Sequence, residues 1–213
     1  MIILEKVDCK IWLTGRLEIR DPVFPKILLS KLYRSDAKKI SLHSEINYLN
    51  HAIILASAAV ELSLASTMLE ENGQRILVEN FIENFPNLKK LCIFWNEENI
   101  PPCKNYEKIL TYLEKLPDFQ KFIFEAVPDN FNIETFLKCV KHLKIQFETE
   151  LFYLDASMPE INNRLEVNID EIMKTEFIDY CPTHIWSHYL EKVKPQKYFP
   201  LWEKYRKYLK NKV

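Results

Sequence analysis

Glycine is nearly missing: the 213 residues contain two, Gly15 and Gly73. Phosphate-cradling loops need glycine where the backbone turns to positive φ or passes close to a phosphate. A glycine-rich P-loop and a dinucleotide fingerprint are therefore excluded, and most nucleotide-dependent enzymes with them. Long apolar runs are missing too. The most apolar stretch, Ala52 to Val60, is only about half the length a spanning helix needs. The opening MIILEKVDCKIWL interrupts its apolar residues with Glu5 and Asp8 and has no basic leader or small-residue cleavage site, so a soluble chain without a membrane partner is expected. Neither sign of charge dominates. With 29 Lys and Arg against 30 Asp and Glu, global charge gives no reason to expect nucleic acid as a partner.

The cysteines (Cys9, Cys92, Cys103, Cys139 and Cys181) are an odd, scattered set without a Cys-x-x-Cys pair. A chain that is 47% hydrophobic can build a core without staples. They are expected to be reduced thiols in a cytoplasmic protein, the nucleus being equally permissive. No G-x-S-x-G elbow occurs, and no cofactor is expected.

What is present is a recurring phrase. FPNLKKLCIF (Phe85 to Phe94) is echoed by LPDFQKFIF (Leu116 to Phe124), with Pro86 and Pro117, Leu91 and Phe122, and Ile93 and Phe124 all 31 residues apart. Helical patterns precede both phrases. Proline ends each helix, since it lacks the ladder donor and restricts the residue before it, and apolar alternation then marks a strand. The same apolar-x-apolar signature recurs at Ile11/Leu13, Ile40/Leu42, Leu62/Leu64, Leu143/Ile145 and Leu165/Val167, with starts 21 to 31 residues apart. An alternative sixth strand lies at Leu151–Leu154.

This spacing resembles the leucine-rich repeat, and Leu88-x-x-Leu91-x-Ile93-x-x-Asn96 matches its core phrase. The other units have Arg16, Glu45, Thr67, Val127, Glu148 and Asp170 where the repeat has Asn. The resemblance implies an α/β fold of repeated helix–strand units over 1–158, with a curved parallel sheet. Residues 159–213 would form a helical C-terminal cap presenting Trp186, Tyr189, Phe199, Trp202, Tyr205 and Tyr208. A doubly wound α/β sheet is the alternative, and a mostly helical chain the third reading, because HAIILASAAVELSLAS also suits a helix.

In the repeat register, residues flanking the buried positions line one sheet face. Just before the first buried position of each unit stand Lys10, Lys39, Glu61, Lys90, Lys121, His142 and Arg164, a mainly basic column beside Trp12, His43, Phe94 and Ile123. That pattern suits an acidic, partly apolar protein partner, and it makes a non-catalytic adaptor or inhibitor-like binder the leading expectation. A structural subunit of a larger assembly is a further reading, and the oligomeric state is left open. A metal-dependent enzyme is the competing class. In CPTHIWSH a helix would put His184 and His188 one turn apart with Cys181 nearby, and Cys139 with His142, or His51, could complete a ligand set. Two shorter resemblances exist. IFWNEENIPP (Ile93 to Pro102) is similar to the first strand of PIN-like NYN ribonucleases, but Asn96 stands where that family's metal-binding Asp belongs, with Glu97 and Glu98 displaced. DPVFPKILLSKLYRSDAKKISL (Asp21 to Leu42) resembles an F-box in its early Pro, its Ile27-Leu28-Leu29 run and its Leu32-x-x-x-Asp36 spacing.

Overall fold

A computed structural model describes residues 6, 8–20, 24–43, 46–65, 67–70, 72–94, 105–127, 131–153, 159–175 and 179–212. The protein is α/β, with parallel strands alternating with helices in two compact units, Met1–Asn105 and Tyr106–Val213.

Along the first unit run β1 (Ile11–Ile19), α1 (Phe24–Lys31), β2 (Leu32–Leu42), β3 (Ile46–Tyr48), α2 (Leu49–Ala56), β4 (Glu61–Leu64), β5 (Thr67–Leu69), α3 (Val78–Phe81), a 3-10 turn (Ile82–Asn84) and β6 (Lys90–Phe94). Strands β1, β2, β4 and β6 lie side by side in that order and are parallel, while β3 and β5 form a separate parallel pair. The alternation in KISL and ELSL acts as its period predicts. Ile40, Leu42, Leu62 and Leu64 are buried, whereas Ser41 and Ser63 are half-buried. Register sets Ile40, Leu62 and Leu91 in one row and Leu42, Leu64 and Ile93 in the next. Fully burying each such side chain is worth about 1.5–3 kcal/mol. The helix α2 packs on β2, where the Ser35 hydroxyl donates to the Leu55 carbonyl.

Two extra residues in β2, Tyr33 and Lys38, face no partner in β1 and make bulges. The second bulge lies beside Gly15 (φ 73°), whose missing Cβ permits that conformation. The F-box-like stretch therefore divides into helix α1 and strand β2, which contains Asp36.

The second unit contains α4 (Tyr106–Glu114), β7 (Lys121–Glu125), α5 (Ile133–His142), β8 (Glu148–Tyr153), α6 (Pro159–Lys174), β9 (Thr183–Ser187), α7 (His188–Val193) and α8 (Pro195–Lys212). Its sheet is parallel in the order β7, β8, β9. Aromatic rings fill the core: Tyr106 meets Phe131 at 5.1 Å and Phe122 meets Phe124 at 4.7 Å between centroids. Helix α6 is tied to α5 by the Arg164 guanidinium, which donates to Glu134 at 2.8 Å.

Three expectations are corrected here. Leu143 and Ile145 are not a strand. They end α5 in a Schellman turn, with Lys144 at φ 53°, its N–H on the Lys141 carbonyl, and the Ile145 N–H on the Val140 carbonyl. The strand is β8, the alternative position. Leu165 and Val167 belong to α6. Buried Leu165, Ile169 and Ile172 follow helical spacing, and Val167 is exposed. The segment THIWS is β9 rather than helix, since Pro182 supplies no N–H and Thr183 and Ile185 are β-branched. Of the stretch open to either reading, Leu55 and Ala56 end α2, a turn follows, and Glu61–Leu64 form β4, with residue 66 outside the described residues.

Candidate interaction face

In the first unit the side of the sheet opposite the Ile40–Leu62–Leu91 row carries polar side chains in register. Trp12 pairs with Arg34, and Thr14 with Asp36. Beyond the bulge come Arg16, Lys39, Glu61 and Lys90, then Glu18, Ser41, Ser63 and Cys92, the last of them buried. Trp12 is 60% exposed. Its indole N–H donates to Asp36 at 2.9 Å, Arg34 reaches the same carboxylate at 2.7 Å, and the guanidinium lies 5.7 Å from the indole centroid. Arg34, with Trp12, holds the Asp36 carboxyl below its ordinary value. Arg20 likewise lowers Glu18, which also takes Arg16 at 3.4 Å.

Part of the basic column lies on this face but is not a free positive surface. Lys39 pairs with Glu61 at 2.7 Å, and Glu61 sits in register between Lys39 and Lys90. Lys10 is exposed just before β1, His43 is exposed beyond the end of β2, and Lys90 and Phe94 are half-buried. The remaining candidates are placed elsewhere. Ile123 is 6% exposed within β7, so it offers no surface. His142 lies in the last turn of α5, not beside a strand, because the sixth expected strand is a helix end.

Lys121 belongs to a partly closed polar cluster in the second unit that sequence reading missed. Its ammonium meets Glu150 at 2.9 Å and Glu148 at 3.3 Å. The Tyr205 hydroxyl donates to Glu148 at 3.1 Å, and the Tyr205 ring stacks on His184 with centroids 5.0 Å apart. Burial pulls Lys121 down, but Glu150 and Glu148 outweigh it and hold the ammonium above its ordinary value. Burial pushes Glu150 up, yet the His184 imidazole and the Lys121 ammonium outweigh that and hold the carboxyl low. Tyr205 is raised strongly, first by burial and then by the two glutamates. The sequence signal was Glu148-x-Glu150 with His184 opposite, at alternate positions of neighbouring strands.

The ligand set expected around CPTHIWSH does not assemble. On strand β9 the helical spacing of His184 and His188 is lost, and the His188 side chain lies outside the described residues. His184 is 6% exposed, its Nδ1 stands 3.8 Å from Glu150, and neither ring nitrogen has a hydrogen-bond partner. The Cys181 thiol is directed to the Pro182 carbonyl at 3.7 Å. Cys139 lies on α5, where burial raises its thiol, and His51 lies in the first unit on α2, edge-on to Tyr48. Among the described residues no three His, Cys, Asp or Glu side chains converge to hold a metal ion. Asn96, Glu97 and Glu98 lie outside the described residues.

Clefts are found in both units among the described residues. One of about 680 Å³ is lined by β2 and the end of α2. The other, about 280 Å³, lies between α5 and α6 beside Glu134, Asn168 and Tyr180. Neither is lined by His184 or Glu150, so the buried acid–base pair does not face a substrate space in them. Among the described residues, no helix is long and apolar enough to cross a membrane. The chain matches no known protein family, curated protein or solved structure.

Proposed function

We propose that this protein is a non-catalytic interaction module, adaptor or inhibitor-like, which binds a partner protein through the open sheet face of its first unit. The observation that carries this reading is the contrast between the two sides of one sheet. Ile40, Leu42, Leu62 and Leu64 are buried on one side, while Trp12, Arg16, Glu18 and Lys39 are exposed on the other. Tryptophan and arginine beside polar side chains are the composition of binding hot spots. Strand order that follows chain order within each unit supports the leucine-rich-repeat-like reading, because stacked repeats keep their sequence order. It also supplies no reversal of strand order, the place where doubly wound sheets bind small ligands. Since Glu61 and Glu18 stand among the cations, the partner surface carries both signs of charge, with acidic groups facing Lys10 and Lys90. Cytoplasmic or nuclear residence fits Cys92 and Cys181, buried thiols that are not joined in disulfides.

The test places arginines in the middle of the face. Proteins captured by the full chain from cell extract are quantified beside those captured by the Ser41→Arg, Ser63→Arg double variant. Capture of the principal partner is expected to fall about tenfold or more, as when an interface centre is blocked, with thermal unfolding unchanged. An unchanged set of captured proteins on a folded double variant overturns the reading.

A further inference from the structure

The first pair of strands is longer than the sheet beside it. β1 pairs with β2 from Leu32 to Leu42, but β4 joins β2 only over Lys39–Leu42, with the Val60 N–H on the Lys38 carbonyl at 2.8 Å. The edge of β2 from Arg34 to Ala37 therefore runs on past the end of β4, held extended by β1 and set off by the bulges at Tyr33 and Lys38. The 680 Å³ cleft opens along this edge. Its other walls are the end of α2 (Ile54, Ser57, Ala58) and Asn87, whose amide donates to the Ser57 carbonyl at 3.3 Å.

A strand edge presents backbone donors and acceptors at the spacing of another strand. Beside it stand apolar groups that water does not favour: Tyr33 is 76% and Ile54 50% exposed. The charged lining residues are Arg34, Asp36 and Lys38. Arg34 and Asp36 offset each other in an ion pair, so the positive surplus of the lining is Lys38, whose ammonium donates to the Ala58 carbonyl at 3.4 Å on the cleft wall. Backbone edge, apolar wall and cationic rim together fit one kind of occupant.

We propose that this cleft receives a short extended segment of a partner protein, which adds to β2 at Arg34–Asp36, seats an aliphatic side chain against Tyr33 and Ile54, and directs an acidic side chain to Lys38. Recognition by strand addition draws affinity from main-chain bonds and specificity from alternate side chains. The inference does not rest on the sheet-face reading, which concerns Ser41 and Ser63 at the other end of β2.

The probe is a fluorescein-labelled peptide of alternating valine and glutamate, titrated with the full chain and followed by anisotropy. Saturable binding is expected, with a dissociation constant on the order of 10–100 μM for so short a segment. The valine–lysine counterpart is expected to bind about tenfold more weakly, and N-methylation of alternate amides along the edge that meets β2 should abolish binding. On the protein, Ile54→Asp, a surface change on α2, should weaken binding about tenfold without altering the circular dichroism or melting temperature. No saturation by the valine–glutamate peptide overturns the proposal, as does equal binding of both N-methylated series or an unaffected Ile54→Asp variant. Self-association of the wild-type chain that Ile54→Asp removes would give the cleft to a second copy and would overturn it as well.

Discussion

Both units are built from parallel strands and helices, yet they treat the second side of the sheet differently. In the first unit β2 and β4 bury one side and leave serines on the other, giving the alternation Ile40-Ser41-Leu42 and Leu62-Ser63-Leu64, while β6 at its end buries Leu91, Cys92 and Ile93 in succession. In the second, Phe122, Ile123 and Phe124 are buried in succession, as are Thr183, His184 and Ile185. Helix α8 covers β8 and β9, where Tyr198, Leu201 and Tyr205 are buried and Tyr205 reaches Glu148 and His184. Closing that side has a cost. Lys121, Glu148 and Glu150 stand where the first unit has solvated groups and are matched with one another inside a region of lower dielectric, while the His184 ring is covered by Tyr205. A free side can stay polar without such matching, and for that reason the proposed binding is placed in the first unit.

The strongest way to break this contrast is to remove the ring that closes the second unit. Tyr205→Ala deletes a stacked aromatic and the hydroxyl on Glu148. It is expected to cost about 3 kcal/mol, the range for truncating a buried aromatic, measured by urea denaturation. Amide exchange should quicken in Glu148–Tyr153 and Thr183–Ser187 and stay unchanged in Glu61–Leu64. Uniform quickening throughout would mean that α8 does not act on its own unit alone.

Acid should separate the units more gently. Glu134 is held at about 2 against an ordinary 4.5, chiefly by its hydrogen bond from Arg164. A depressed carboxylate stabilises fully above its unfolded value, and the contribution drains away as pH falls from 4.5 toward 2. The pair is largely solvated, so screening leaves about 1 kcal/mol of the full linkage. Glu134→Gln is therefore expected to lower stability by that amount at neutral pH and to match the wild type near the bottom of the window. Thermal melts across the range check this, and a constant difference at every pH would dissociate the loss from ionisation.

Much of the sheet was legible because alternation and turn chemistry are local. The strands at Ile11, Ile40, Leu62, Leu91 and Phe122 all form where apolar-x-apolar follows a polar residue. Failures came where two periods share one short phrase. Leu165-x-Val167 satisfies a strand template, and only the longer run to Ile169 and Ile172 shows a helix. THIWS was drawn into a helix by its histidine spacing, although β-branched residues and Pro182 argued for extension. The face was half legible. Trp12, Lys39 and Lys90 share that side with Glu61, as their spacing implies, but the Lys39–Glu61 ion pair needed the parallel register between β2 and β4 to be seen, and Lys121 and His142 lie in the second unit. The polar cluster needed long-range pairing, since Lys121, Glu150, His184 and Tyr205 come from three strands and a helix. The cleft on β2 depends on the unequal lengths of neighbouring strands, which alternation does not report.

The smallest expected effect is the one that defines the open face. Ser63 lies in the middle of β4, half-buried, in register with Ser41 and Cys92. On a solvated strand surface, Ser63→Val exchanges a small polar group for a β-branched one that fits the pleat. It leaves no donor stranded and opens no cavity, so the change in stability should stay within about 0.5 kcal/mol and can favour the variant. The corresponding change on the closed side, Glu150→Val, removes the acceptor of Lys121 and leaves its ammonium with Glu148 alone. Breaking one member of a part-buried pair costs about 2 kcal/mol. Denaturation of both variants under one condition measures the ratio directly. Equal losses at the two sites would mean that Ser63 is covered as Glu150 is, and the distinction between an open first unit and a closed second one would fall.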